Sequence, residues 1–453
     1  RYVYSWDRNN FAPRAGLAFT IDKNTVVRAG AGLFYAGLEI SSTNTGTFAT
    51  TGFSANTTMA ASLDGITPYR YLSNPFPDGI VAPTRNSLGA STGLGQSINL
   101  WDNHPATPYG VQWNFDLQRT LTGNLLVDLA YSANRGIRLA RERNIDALNP
   151  QYLALRTELQ RVVTNPFLGQ IASGPLSQPR VSQQQLLLPY PQYTGLTVMN
   201  DTSGNSTYHS LQLKVEKRMA RGSGILFSYT ASKAITDCRK ALAEFGSYSQ
   251  AINVQNWYDL RTERSLSDID VPQAAALSYV LEFPLGPGHA LLGGVKGIGA
   301  KLLEGWGLSG VASYRSGFPL ALSAPNTGAG PGTRPNSAGR SAKITASRTR
   351  GAAIAQWFDT SAFTLPPPFT FGNLSRTLPD TRGPNLASVD ISLLKDTRLT
   401  ERKRLEFRAE AFNLANTPQF WVPDTSMGSL QFGQISQNSG LPRVVQLSMK
   451  LLF

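Results

Sequence analysis

The chain has 453 residues, of which 42 are Lys or Arg and 29 Asp or Glu; its net charge is +13 and only 16% of residues are charged. A single cysteine, Cys238, excludes a disulfide framework and a Cys-based zinc site, and His104, His209 and His289 have no metal-ligand spacing. No run of about 18 apolar residues exists, which excludes a membrane-spanning helix, and basic residues spread from Arg1 to Lys450 without a dense run, which argues against a nucleic-acid partner.

The chain opens RYVYSWDRNN, in mid-pattern and without a starting Met. It reads as a fragment whose N-terminal part is missing, so the lack of a visible signal peptide says nothing about export, with residues 1–7 the remnant of a strand. From there the periodicity is two. Leu17, Phe19 and Ile21 point one way and Gly16, Ala18 and Thr20 the other. Asp22-Lys23-Asn24 turns the chain, and Val27, Ala29, Ala31, Leu33 and Tyr35 alternate with Arg28, Gly30 and Gly32 on the return. Successive strand side chains face opposite sides, so this is a hairpin with one apolar face.

The unit recurs. Val111, Trp113, Phe115 and Leu117 lead through Thr122-Gly123-Asn124 to Leu125, Val127, Leu129 and Tyr131. Leu211, Leu213 and Val215 precede Ile225, Phe227 and Tyr229. Leu277, Tyr279, Leu281 and Phe283 precede a strand from Trp306 to Tyr314. Val389, Ile391 and Leu393 precede Leu405, Phe407, Ala409 and Ala411. The final strand carries Val445, Leu447, Met449, Leu451 and Phe453 on one face, a terminal-aromatic pattern suited to barrel assembly.

Links within pairs are short, near 22–25, 122–124, 219–223 and 397–402, with 286–302 somewhat longer. Links between pairs are long, near 37–108, 136–206, 236–271 and 317–385, with a shorter one at 415–440. Strict alternation puts every short turn at one end of the strands and every long loop at the other. Compact soluble domains rarely carry such loops. Outer-membrane barrels do: short periplasmic turns, long extracellular loops, and strands of about 10 residues with apolar side chains outward. The expected fold is all-β, a transmembrane antiparallel β-barrel over 1–453 with a periplasmic C-terminus. Aromatics fall near strand ends, where interfacial girdles belong: Trp306, Phe283 and Phe453 at one end, Tyr35 and Tyr109 at the other. A soluble sandwich or propeller also gives period-two strands, but not the ordered short and long links.

Several segments resemble the barrel of TonB-dependent outer-membrane receptors, particularly the Oar-like group. They are NFAPRAGLAF (10–19), YDLRTERSLSDIDVP (258–272), EGWGLSGVASYRSGFPLALS (304–323), RPNSAG (334–339), WFDTSAF (357–363), FGNLSRTLPDTRGP (371–384) and VDISLLKDTRLTERKRLEFRAEAFNLANTPQF (389–420). The last is the most specific. The resemblance implies the C-terminal part of a 22-stranded barrel, with an N-terminal plug and a small regulatory-like domain beyond this chain. It implies coupling to an inner-membrane TonB complex through that plug.

Two charge groups stand out. Glu406, Arg408 and Glu410 share one inward face, either as a substrate path or plug contact, or as a ladder of opposite charges holding the wall. Asp259, Arg261, Glu263, Arg264, Asp268 and Asp270 crowd just before a strand and are expected to order a loop base through ion pairs. A catalytic carboxylate pair there lacks a nucleophile or His, so no catalytic residue, cofactor or metal is expected. GAGPG (328–332) lacks the Lys-Ser/Thr ending of a phosphate loop and reads as loop. Cys238 reads as an unpaired loop thiol.

The function these features imply is an outer-membrane receptor and transporter. Long extracellular loops would capture a ligand, and a plug-gated lumen energised by TonB would pass it. Expected partners are outer-membrane lipid and lipopolysaccharide, the barrel-assembly machinery, the TonB complex and an unidentified ligand. The alternative is a surface structural or adhesion barrel without active transport.

Overall fold

The computed structural model describes residues 7–37, 71–77, 79–171, 174–220, 222–238, 253–289 and 291–453, with scattered positions between 52 and 69. The expected remnant strand at residues 1–7 falls almost wholly outside these residues. Eleven strands build one wall. They are β1 Arg14–Asp22, β2 Thr25–Tyr35, β3 Tyr109–Leu121, β4 Leu125–Asn144, β5 Gly195–Ala220, β6 Ser223–Thr236, β7 Gln273–Glu282, β8 Trp306–Arg315, β9 Leu386–Arg398, β10 Arg404–Phe412 and β11 Val444–Leu452. Each pairs antiparallel with the next in sequence. Among the described residues β1 pairs only with β2 and β11 only with β10, so the wall has two open edges.

The turns follow from local chemistry. At the first, the Asp22 carboxylate accepts from the Asn24 amide at 2.7 Å and from the Thr25 hydroxyl at 3.1 Å. At the second, Gly123 and Asn124 adopt φ of 76° and 59°, the left-handed conformations a two-strand reversal needs.

Register carries the side-chain alternation unbroken across neighbours. Phe19 opposes Val27, which opposes Leu117, then Leu129, Leu213 and Tyr229. Farther on, Leu308, Leu393, Ala409 and Leu447 stand in line. This apolar face is open: Phe19 is 59% exposed and Leu447 67%. The other face carries the charges, with Arg28 opposite Asp116, Asp128 opposite Lys214, and Ser309, Ser392, Glu410 and Gln446 in line, interrupted by Leu226, Val280, Val311 and Phe412. A wall whose large aliphatic side chains face outward in one continuous band is built for lipid on that side.

Two features depart from the sequence-based expectation. First, β4 and β5 run to 20 and 26 residues, so the expected 136–206 link shrinks to 145–194. Their pairing continues through register shifts after Ile137. Second, the links at 145–194, 316–385 and 413–443 carry packed cores of their own. Leu320, Leu322, Ala342, Phe358, Ala362, Phe363 and Leu378 form a buried core, with Trp357, Met427 and Phe432 packed against it. The Phe358 ring meets Phe432 edge-on at 5.3 Å and Phe363 at 5.9 Å. Segments 316–385 and 413–443 thus form one packed cap over the long-loop end of the wall. A smaller core of Ile171, Leu176 and Val181 holds the 145–194 loop.

Candidate functional site: the loop cap and the polar face

The cap is fixed to the wall by buried charge. Past β6, the Gln255 side-chain amide bridges two segments of loop. Its Oε1 accepts from the Arg334 amide at 3.0 Å and the Gly372 amide at 3.1 Å, while its Nε2 donates to the Gly372 carbonyl at 2.8 Å. Glu263, 1% exposed, pairs with Arg334, 2% exposed. Asp270, 1% exposed, accepts from Arg382 Nη2 at 2.5 Å and also takes the Ala234 amide at 2.5 Å. Burial without partners would cost each of these ions several kcal/mol, so both pairs matter chiefly as constraints on how the loops can fit together.

Arg376 binds four acceptors. Its Nε donates to the Glu263 carbonyl at 3.1 Å and the Ser265 hydroxyl at 3.3 Å; Nη1 reaches the Cys238 carbonyl at 2.8 Å and Nη2 the Thr236 carbonyl at 3.0 Å. It therefore ties the 371–384 segment to the upper end of β6. Burial pushes its pKa down, opposed by the charges of Asp268 and Glu263.

The six expected loop-base charges divide. Glu263 and Asp270 sit in the buried pairs. Asp268 lies half-buried in the electrostatic reach of Arg376. Asp259 accepts from the Arg261 amide at 3.2 Å and starts the short helix Leu260–Glu263. Asp259, Arg261 and Arg264 are exposed. The sequence offered no means of naming Arg334, Arg376 and Arg382 as the partners. The Arg334–Glu263 pair spans 71 residues and the Arg376–Glu263 contact 113.

Cys238 is free and buried beside this junction. Burial pushes its thiol up to about 12, so it is inert. It packs against Gly204, where an added Cβ would lie 1.8 Å from the sulfur and 2.7 Å from the Leu139 carbonyl oxygen. Arg141 secures the same corner, donating to Ser203 Oγ at 3.0 Å and to the Asp237 carbonyl at 3.2 Å.

A cavity of about 370 Å³ opens in the cap, lined in part by Asn253, Ser323, Thr333, Arg334, Thr425 and Ser426. On the charged face of the wall lies a groove of about 620 Å³, lined by Leu226, Val280, Val311 and Phe412 and bordered by Asp390 and Glu410. The Glu406–Arg408–Glu410 group stands on that face. Arg408 Nη2 lies 3.0 Å from Glu406 and Nη1 3.8 Å from Glu410, with Lys450 opposite Glu406 in register. Similar pairs recur at Arg28–Asp116, 3.2 Å, and Lys214–Glu216, 2.8 Å. The group is thus part of a ladder of partly exposed ion pairs along the charged face. Each such pair contributes about 0–1 kcal/mol to stability. Val445, Leu447, Met449 and Leu451 of the last strand lie on the apolar face, with Phe453 just past its end and 95% exposed. Among the described residues no cluster of His, Cys, Asp or Glu could hold a metal ion.

Residues 1–446 match the family model described as outer membrane beta barrel domain. No curated protein matches the chain. Among solved structures, the chain is similar to the outer membrane transporter YddB from Escherichia coli, at 11% identity and a TM-score of 0.45, over 98% of this chain and 40% of that one. It is also similar to the ferric-catecholate import receptor Fiu from E. coli, at 11% identity and a TM-score of 0.39, over 97% and 34%. The ferripyoverdine receptor of Pseudomonas aeruginosa gives 10% identity and a TM-score of 0.39, over 98% and 33%. The chain therefore spans 40% or less of the length of these three structures.

Proposed function

The chain belongs to the outer membrane beta barrel domain family, and from that premise we propose that it is the loop-bearing wall of a TonB-dependent, Oar-like receptor and transporter. The observation that carries the reading is the two-faced wall held in one register. Aliphatic and aromatic side chains form one face and ion pairs the other, as lipid outside and a wet or plugged lumen inside require. The sequence segments quoted above supply the finer assignment to the TonB-dependent group.

In this reading the short turns and the C-terminus face the periplasm, and the packed cap faces the medium. The cap and the 145–194 loop capture the ligand. A plug belonging to the rest of the protein is displaced by force from the TonB complex, and the ligand passes along the polar face. The chain contributes shape and charge, not bond chemistry. Lipopolysaccharide surrounds the loops, and the barrel-assembly machinery inserts the wall through its last strand.

The test is uptake. Cells making the whole protein are offered a panel of iron chelates, oligosaccharides and peptides, with and without TonB and the proton gradient. Accumulation that needs both supports the reading. Accumulation that ignores both removes energised gating. Surface binding with no accumulation would leave the adhesion alternative, which the packed cap also suits.

A further inference from the structure

One short-turn connection is longer than the rest. Residues 283–305, between β7 and β8, carry the helix Ile298–Leu303. Its position follows from register. Trp306 opposes Lys395, Lys395 opposes Phe407, and Phe407 opposes Met449, so all four share the lipid-facing side. Both Lys395 and Trp306 grip the helix. Lys395 Nζ donates to the Lys301 carbonyl at 2.8 Å and to the Glu304 carbonyl; the Trp306 indole donates to the Leu302 carbonyl at 2.8 Å. These bonds satisfy carbonyls that a helix end leaves open. A lysine on a lipid-facing side would be costly in the open, and this one is only 8% exposed because the turn covers it. The helix therefore lies outside the wall, at its rim, not under the lumen.

Its outer surface is apolar. Ile298 and Leu302, four residues apart and so on one side, are 80% and 64% exposed, while Ala300 on the other side is buried. Leu291 and Leu292 in the same turn are 55% and 56% exposed. Around them stand exposed cations: Lys296 and Lys301 of the turn, with Arg402 and Lys403 of the neighbouring β9–β10 turn. Lys301 Nζ reaches the Leu399 carbonyl at 3.4 Å, which draws the two turns together.

We infer that this turn is an interfacial anchor, inserting Leu291, Leu292, Ile298 and Leu302 among the phospholipids of the leaflet at the short-turn end, with Lys296 and Lys301 on anionic headgroups. The apolar patch is continuous with the lipid-facing band of the wall, since Trp306 belongs to both. Apolar side chains below a cationic fringe are the pattern of helices that lie in a membrane interface. The inference rests on the membrane reading of the wall. It adds that this one turn grips the leaflet from outside the barrel, where the β1–β2 and β3–β4 turns have no such patch.

The test places an environment-sensitive fluorophore on Leu302→Cys in the whole protein folded into vesicles of phosphatidylethanolamine and phosphatidylglycerol. Cys238 stays in place because its buried thiol does not label. Leu129→Cys, on the apolar face of β4, is the control for the wall. Nitroxide lipids labelled near the headgroup are expected to quench position 302, and lipids labelled deep in the chain to quench position 129. Lys296→Glu with Lys301→Glu is expected to release position 302 from phosphatidylglycerol vesicles. Quenching at 129 with a water-exposed 302 overturns the anchor and leaves the wall intact. Quenching at 302 that disappears when chains are diluted among vesicles shows contact between copies instead, and also overturns it. A water-exposed 129 removes both readings together.

Discussion

Charge placed at neighbouring positions of one strand should separate lipid from lumen. Leu129 of β4 opposes Leu117 and Leu213 on the apolar face; Ala130, the next residue, opposes Asp116 and Gln212 on the polar face. Leu129 is the fifth residue past Asn124 at the turn. A strand rises about 3.3 Å per residue and, tilted about 40°, climbs about 2.5 Å across the membrane. Leu129 thus sits about 13 Å in, near the middle of an apolar band about 25 Å tall. Leu129→Arg should cost about 2–4 kcal/mol there, a factor of about 30–900 in the folding equilibrium. Ala130→Arg, at the same depth but beside Asp116 and Asp128, should stay within about 0.5 kcal/mol of the parent, as surface changes do. Urea titration of the whole protein folded into vesicles, followed by tryptophan emission and by the gel shift of folded barrels, measures both. Equal costs would show that the faces are assigned wrongly. A larger cost at Ala130 would show that they are reversed.

Replacing Arg376 with Met should loosen the cap by about 3 kcal/mol, since the backbone carbonyls of Thr236, Cys238 and Glu263 lose a charged donor. Maleimide labelling of Cys238 should then speed up roughly 100-fold with the wall still folded, and unchanged labelling would count against the junction described. Gly204→Ala should open the same corner by collision with Cys238 and Leu139, and adding Cys238→Ala should recover only part of the loss because the Leu139 carbonyl remains in the way. Asp146, at the start of the 145–194 loop, has one oxygen bonded to the Tyr190 amide at 2.9 Å and the other unpartnered, and burial pushes its pKa from 3.8 up to about 6. Between those values the folded chain holds a proton that the unfolded chain has lost, so loop stability should fall as pH rises from about 4 to 6. Hydrogen exchange in the loop should show that slope in the parent and a flatter one in Asp146→Asn.

The wall was legible because lipid imposes a rule on every second residue. Leu17, Phe19 and Ile21 declare a face whatever strand they pair with, and hydrogen-bond satisfaction then dictates neighbours in chain order. The rule lapses where both strand faces meet water. Arg138 to Asn144 in β4 reads RLARERN, with no alternation, so the strand's continuation past Ile137 was hidden. The cap was hidden for another reason. Phe358, Phe363 and Phe432 are scattered among Pro, Gly and Ser, and only the folded chain brings them together. The acidic half of the loop base could be named from its density around Glu263 and Asp270. Its cationic half could not, because Arg334, Arg376 and Arg382 are each isolated in sequence.

The long β4–β5 pair sets a height. Twenty residues of β4, at about 2.5 Å of climb each, rise about 50 Å from the turn at Asn124, roughly twice the apolar band. The 145–194 loop, with its own small core, would then stand some 25 Å clear of the lipid. That is about three screening lengths, each about 8 Å at physiological salt, above the apolar band. The tip would be insulated from the membrane's negative potential, which the other loops, rooted lower, would still feel. With the long loops outward, as proposed, whatever meets the cell would encounter this mast first, and on terms set by the tip's own side chains rather than by the charge of the surface beneath it.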